Sequence, residues 1–102
     1  MLELRPNCEM CDTDLPPDAE NARICTYECT FCAACVDDVL HNVCPNCAGG
    51  FVPRPIRPAT ARRAGVSLTH QPAGTKRRAL KHDRESIAEL VEATRNIPPA
   101  DR

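Results

Sequence analysis

The chain has 102 residues, enough for one small domain with appendages, and 8 cysteines, none after Cys47. Its formal charge of −1 hides a division: residues 1–52 hold nine acids and two bases, residues 53–84 one acid and nine bases, and residues 85–102 four acids and two bases. No stretch approaches the roughly 20 apolar residues of a membrane span, and the opening Met1-Leu2-Glu3-Leu4-Arg5-Pro6-Asn7 lacks the basic start and apolar run of a signal peptide, so the cytoplasm is the expected compartment.

Residues 1–52 form a cysteine-rich head. A segment this short cannot bury a self-sufficient core, and its only aromatics are Tyr27, Phe31 and Phe51. Metal or disulfides must supply the missing stability. In a reducing compartment paired cysteines read as metal ligands. They fall into four pairs: Cys8-x2-Cys11, Cys25-x3-Cys29, Cys32-x2-Cys35 and Cys44-x2-Cys47. Four thiolates close one tetrahedral zinc site, so eight ligands imply 2 zinc ions.

Between the first two pairs, residues 12–21 read as a loop around Pro16-Pro17. Residues 33–41 read as a helix, with Val36, Val39 and Leu40 on one side and Asp37 and Asp38 outward. Gly49-Gly50 offers a turn after the last pair.

Residues 53–75 read as a disordered Pro/Arg-rich linker, with Pro53, Pro55, Pro58 and Pro72 and no apolar period. Residues 76–102 read as an amphipathic helix and tail. The spacing of Leu80, Ile87, Leu90, Val91 and Thr94 predicts a helix over 76–95, capped by Thr75, or a shorter one over 84–95, capped by Asp83; Pro98-Pro99 ends either. Its apolar face is narrow, so it needs a surface to pack on: the head, a second copy or a partner.

Spacing alone does not decide how the pairs share two metals. Nesting Cys25, Cys29, Cys32 and Cys35 on one ion is cramped, because only two residues separate Cys29 from Cys32. Sequential and interleaved pairing stay open. Beyond spacing, Met10 sits between the first two cysteines, Phe31 precedes the fifth, a helix follows the sixth, and the last pair reads Cys44-Pro45-Asn46-Cys47.

In these features residues 7–52 resemble an all-cysteine RING finger. The resemblance implies a small metal-stabilised α+β fold, a RING-like or treble-clef two-zinc head. It also implies an interleaved cross-brace: Cys8, Cys11, Cys32 and Cys35 on zinc 1, and Cys25, Cys29, Cys44 and Cys47 on zinc 2. In ubiquitin-ligase RING fingers, the positions matching Met10, Val39 and Pro45 contact the ubiquitin-conjugating enzyme. Here Val39 replaces the usual large aromatic, and Ala48 the arginine many have after the last ligand. The head is also similar to a bacterial family of small cysteine-rich proteins of unassigned function.

A four-cysteine zinc site has no open position for a substrate. The chain also lacks a glycine-rich phosphate loop and a readable Ser/His/Asp set, and it is not expected to be an enzyme. Cys25, Cys29 and Cys32 fit the iron–sulfur motif of radical-SAM enzymes, but those enzymes build a barrel of at least about 200 residues around it. An iron–sulfur cluster for electron transfer and a redox or zinc-release switch are the other cysteine readings. His41, His70 and His82 read as surface residues.

The leading expectation is a non-catalytic interaction module for an unknown protein partner. The alternative is nucleic-acid binding through Arg54, Arg57, Arg62, Arg63, Lys76, Arg77, Arg78, Lys81 and Arg84. Against it, that stretch has no aromatic for base stacking. The stretch has a simpler use, folding back on its own acidic head.

Overall fold

The computed structural model describes all 102 residues. Strands β1 (Ala22–Ile24) and β2 (Thr30–Cys32) form an antiparallel hairpin, with Ala22 opposite Cys32 and Ile24 opposite Thr30. β3 (Val52–Pro53) pairs antiparallel with the other side of β1, which gives the order β2-β1-β3. The sheet therefore crosses the boundary expected after residue 52. The hairpin loop is built from Cys25 to Cys29, where Glu28 takes a left-handed φ of 65° and donates its N–H to the Cys25 carbonyl at 3.0 Å.

β2 runs directly into helix α1 (Ala33–Cys35), which widens into a π-helical turn over Val36–Leu40. The predicted helix is present, but its second half is π rather than α. It ends where His41 and Asn42 take left-handed φ values of 46° and 62°. The wide turn keeps Val36 and Leu40 buried while Asp37, Asp38 and Val39 stay exposed.

Helix α2 (Arg84–Thr94) follows the shorter of the two predicted spans. Asp83 caps it, its carboxylate accepting the Ser86 N–H at 2.7 Å. Residues 76–82 are not helical. Arg77 and Arg78 are held instead by side chains of the head, and those bonds outweigh the helix propensity of a short basic run. Along α2, Ile87, Val91 and Thr94 are buried and Leu90 is half-buried, the face the periodicity marks. That face packs on the π-turn and closes the main apolar cluster, so the head itself is the surface this helix uses.

The interior is short of hydrocarbon. Of its fifteen buried apolar residues, six are Cys8, Cys25, Cys29, Cys32, Cys35 and Cys44. Phe31 is the only fully buried aromatic, and it meets Phe51 edge-on with ring centroids 5.5 Å apart.

Residues 53–75, expected to be disordered, are irregular but tied down. Arg54 is 4% exposed and donates to the carbonyls of Arg5, Leu15 and Pro16 at 2.8, 3.3 and 2.8 Å. Arg57 donates to the Gln71 and Leu2 carbonyls at 2.6 and 2.7 Å, and the Gly74 N–H donates to the Leu4 carbonyl at 2.9 Å. Proline removes backbone donors from this segment; the two guanidinium forks replace them with long-range bonds.

Candidate metal centres

Each terminal cysteine pair sits in a tight loop of the same design. The N–H of the residue after the second cysteine returns to the carbonyl of the first: Asp12 to Cys8 at 2.9 Å, and Ala48 to Cys44 at 2.7 Å. Both returning residues are left-handed, at φ 63° and 64°. The turn after the last pair therefore falls on Ala48, not on the expected Gly49-Gly50. Those glycines serve close approach instead: a Cβ on Gly49 would meet the Cys47 sulfur at 3.3 Å, and one on Gly50 would meet Pro99 at 3.1 Å.

The sulfurs of Cys8, Cys11, Cys32 and Cys35 all lie within 4.8 Å of one another, joining the first pair to the third. Cys11 Sγ and Cys32 Sγ are 3.7 Å apart. Ligands about 2.3 Å from a tetrahedral zinc ion sit roughly 3.8 Å from each other, so this quartet has the dimensions of a four-thiolate cage. A disulfide needs about 2.05 Å.

The second group is looser. Cys25, Cys44 and Cys47 meet the same mutual limit, and Cys29 lies outside it. Cys29 still adjoins Cys25 and Asn46. Backbone amides also reach this group: Tyr27 N–H donates to Cys25 Sγ at 3.3 Å and Gly49 N–H to Cys47 Sγ at 3.4 Å. The two groups, with Cys29 beside the second, are compatible with two metal ions. The chain order alternates between them, which spacing alone left open.

Burial sets the protonation of the free thiols. It pushes Cys8, Cys29, Cys35 and Cys44 up from the ordinary thiol range. Exposed Cys11 goes the other way, lowered chiefly by the backbone N–H of Thr13. A metal must therefore displace tightly held protons from two thiols of each group. Neither group includes a histidine. His70 is taken up locally, with Nδ1 2.9 Å from the Ser67 hydroxyl, and His82 is exposed.

Of the three contact candidates, Val39 is 42% exposed and Met10 is half-buried against the core. Pro45, expected at the surface, is buried inside the last cysteine loop and offers no contact area.

The basic residues divide. Arg54 and Arg57 are used inside the fold. Arg77 pairs with Asp12 and Asp14 at 2.8 and 2.7 Å, and Arg78 with Glu3 at 3.2 Å. Arg62, Arg63, Lys76, Lys81 and Arg84 are exposed, without a salt bridge or side-chain hydrogen bond.

Three residues around the centres carry no sequence signal. Asn7, 1% exposed, donates to the Cys8 carbonyl, Asp12 and the Arg78 carbonyl, and accepts the Arg78 N–H, clamping the tail to the first loop. Glu9 accepts Asn46 Nδ2 at 3.2 Å and so links the first cysteine loop to the last. Arg102 donates to the Asn42 and Ala48 carbonyls at 2.7 and 2.9 Å, fastening the C-terminus to the last loop.

A family model described as Protein of unknown function (DUF1272) matches residues 1–57, a span that takes in β3, Arg54 and Arg57. An uncharacterized protein of Rhizobium meliloti (strain 1021) is 56% identical over 77 residues, covering 76% of this chain and 84% of the relative. No solved structure matches the chain. No helix is long and apolar enough to cross a membrane.

Proposed function

We propose that this chain, which belongs to the family described as Protein of unknown function (DUF1272), is a non-catalytic interaction module closed by two structural zinc ions. One observation carries the reading: four thiols, two from the first cysteine loop and two from the junction of β2 and α1, converge within 4.8 Å, with a sulfur–sulfur edge of 3.7 Å that fits a tetrahedral ion. A tetrahedral all-sulfur set suits zinc or iron–sulfur chemistry. Zinc is favoured because one group of thiols forms a closed cage, a second gathers beside it, and the head has little hydrocarbon core. Zinc at such a site contributes folding free energy and leaves no position for a substrate. The alternation of pairs supports a RING-like cross-brace. Cys8, Cys11, Cys32 and Cys35 would hold one ion; Cys25, Cys44 and Cys47, completed by Cys29, would hold the other.

The interaction role rests on what the closed head presents. Val39 stays exposed on the π-turn beside α2, at the edge of a ≈ 470 Å³ groove that also includes Ile87 and Val91. Nucleic-acid binding is the weaker reading, because four of the nine candidate bases are already engaged within the chain.

Native mass spectrometry with elemental analysis, on protein purified without chelator, tests the metal reading. Two zinc per chain is the expected result. Iron with sulfide would make the protein an electron-transfer or sensing module, and a metal-free mass eight hydrogens light would mean four disulfides. Pull-down with the zinc-loaded chain tests the interaction role: a protein captured independently of salt supports it. Capture of nucleic acid that collapses between low and moderate salt would replace it with the nucleic-acid reading.

A further inference from the structure

The two cysteine groups differ in exposure, in completeness and in the charges around them. The first is complete, with all four sulfurs mutually within 4.8 Å. Its one exposed thiol, Cys11, is followed by Asp12, and the cation there, Arg77, is taken up by Asp12 and Asp14. The second keeps only three sulfurs within that limit, so an ion there is gripped less evenly. Two of its thiols, Cys29 and Cys47, line an open cavity of ≈ 430 Å³. Arg5, Arg78 and Lys81 line the same cavity, opposed by Glu9 alone among acids. Arg5 and Arg78 are partly neutralised by Glu3, and Arg5 also lies 3.9 Å from Glu9. Lys81 has no such partner and is exposed. Cys47 is the one partly exposed thiol of the group; Cys25, Cys29 and Cys44 are buried.

We infer that the second centre is an oxidation site for small hydroperoxides, with Cys47 attacked first, and that its oxidation releases one metal while the first centre stays loaded. The inference rests on the two-metal reading above. Thiolates, not thiols, react with peroxide, and between two accessible thiolates an unpaired neighbouring cation selects which one does. The Cys47 thiolate attacks one peroxide oxygen; the O–O bond breaks, hydroxide leaves and takes a proton to become water, and Cys47 becomes a sulfenic acid. Cys25 or Cys44, each within 4.8 Å of Cys47, then attacks that sulfur as a thiolate. The S–O bond breaks, a second hydroxide leaves, and a disulfide forms. The second hydroxide also takes a proton from solvent, so with hydrogen peroxide two thiolates lose two electrons and one peroxide plus two protons become two waters. The ion keeps at most two of its four ligands and leaves. Lys81 and Arg78 favour the first step by holding positive charge where hydroxide departs.

The test uses the full, metal-loaded chain and hydrogen peroxide, with released metal read by a chromophoric chelator and cysteine states read by alkylation and mass spectrometry. The metal count before peroxide separates the two levels: fewer than two per chain defeats the two-metal reading and this inference with it. With two present, the expected result is loss of one metal and two thiols, with Cys47 in the new disulfide and Cys8, Cys11, Cys32 and Cys35 still protected. Lys81→Gln, at an exposed side chain that holds nothing in the fold, is expected to keep both metals and slow release about three- to tenfold. Cys11 oxidising first, both metals leaving together, or an unchanged rate in Lys81→Gln would each overturn it.

Discussion

The head and the tail of this small protein are held by different means. In the head, sulfur fills much of the interior, and the four cysteine pairs gather into two groups. The tail, from Arg54 to Arg102, has no cysteine. It is attached by arginine side chains that capture backbone carbonyls, by one asparagine clamp and by the apolar face of α2. On the proposed two-zinc reading the head is conditional on a metal, and the tail is conditional on the head. Most of the tail's acceptors are carbonyl groups of the head's loops, which are in place only when those loops are.

That dependence gives the largest expected effect. Cys35→Ser, or chelation of the metal-loaded chain, should abolish cooperative folding of both regions, since structural zinc contributes on the order of 10 kcal/mol in small domains. Circular dichroism and thermal melting, with and without chelator under reducing conditions, check it. A folded apo-protein that melts cooperatively would mean that the tail can hold the head without metal. The pH dependence has a fixed sign. Burial raises Cys8, Cys29, Cys35 and Cys44, so protons compete strongly for those sulfurs. Metal binding expels those protons, so metal affinity falls as pH falls and rises as pH rises.

The next effects belong to the tail. Arg54→Ala removes three bonds to carbonyls and leaves those acceptors without a partner under the chain, which should cost roughly 3–5 kcal/mol. The metal count should stay at two, because Arg54 touches no sulfur. Ile87→Ala, at a residue 3% exposed, should cost about 2–3 kcal/mol by opening the contact between α2 and the π-turn. Asp83→Ala removes the cap of α2 and should cost about 1 kcal/mol. Denaturant melts of the metal-loaded variants rank the three. If Arg54→Ala proves milder than Asp83→Ala, carbonyl capture is not what holds the tail.

The same division separates what was legible in the sequence from what was not. Cysteine spacing marks the head because pairs at such density gather their sulfurs into clusters, and the structure brings them into two groups. The apolar period found α2, and Asp83 was a visible cap. The span from 76 to 82 misled because propensity counts only local bonds, whereas Asn7 and the acids at 3, 12 and 14 claim Arg77 and Arg78 from 63 to 75 residues away. The linker misled for a related reason. Arg54 bonds to carbonyl oxygens, which every residue carries, so no side-chain pattern at Arg5, Leu15 or Pro16 marks them as its partners. Ala48 hid its turn because it takes a left-handed φ with glycines beside it that suited the role better.

The smallest effect sets exposed contacts against buried ones: Arg77 also donates to the Asp12 carbonyl at 2.6 Å, but at the surface. Arg77 makes the most conspicuous ion pairs in the molecule, to Asp12 and Asp14, and both acids hold its guanidinium above its ordinary range. Yet its side chain is 45% exposed and those of its partners 72% and 82%. Exposed pairs gain little over water and are screened within about 10 Å at ordinary salt. Arg77→Ala should therefore leave the melting temperature unchanged at moderate salt, with a small drop emerging only when salt is removed. The effect of Arg54→Ala should be the same at both. A salt-dependent loss at Arg77 as large as the loss at Arg54 would reassign the attachment of the tail to the attraction between a basic segment and an acidic head. It would also mean that the surface charges of this chain are spent on itself.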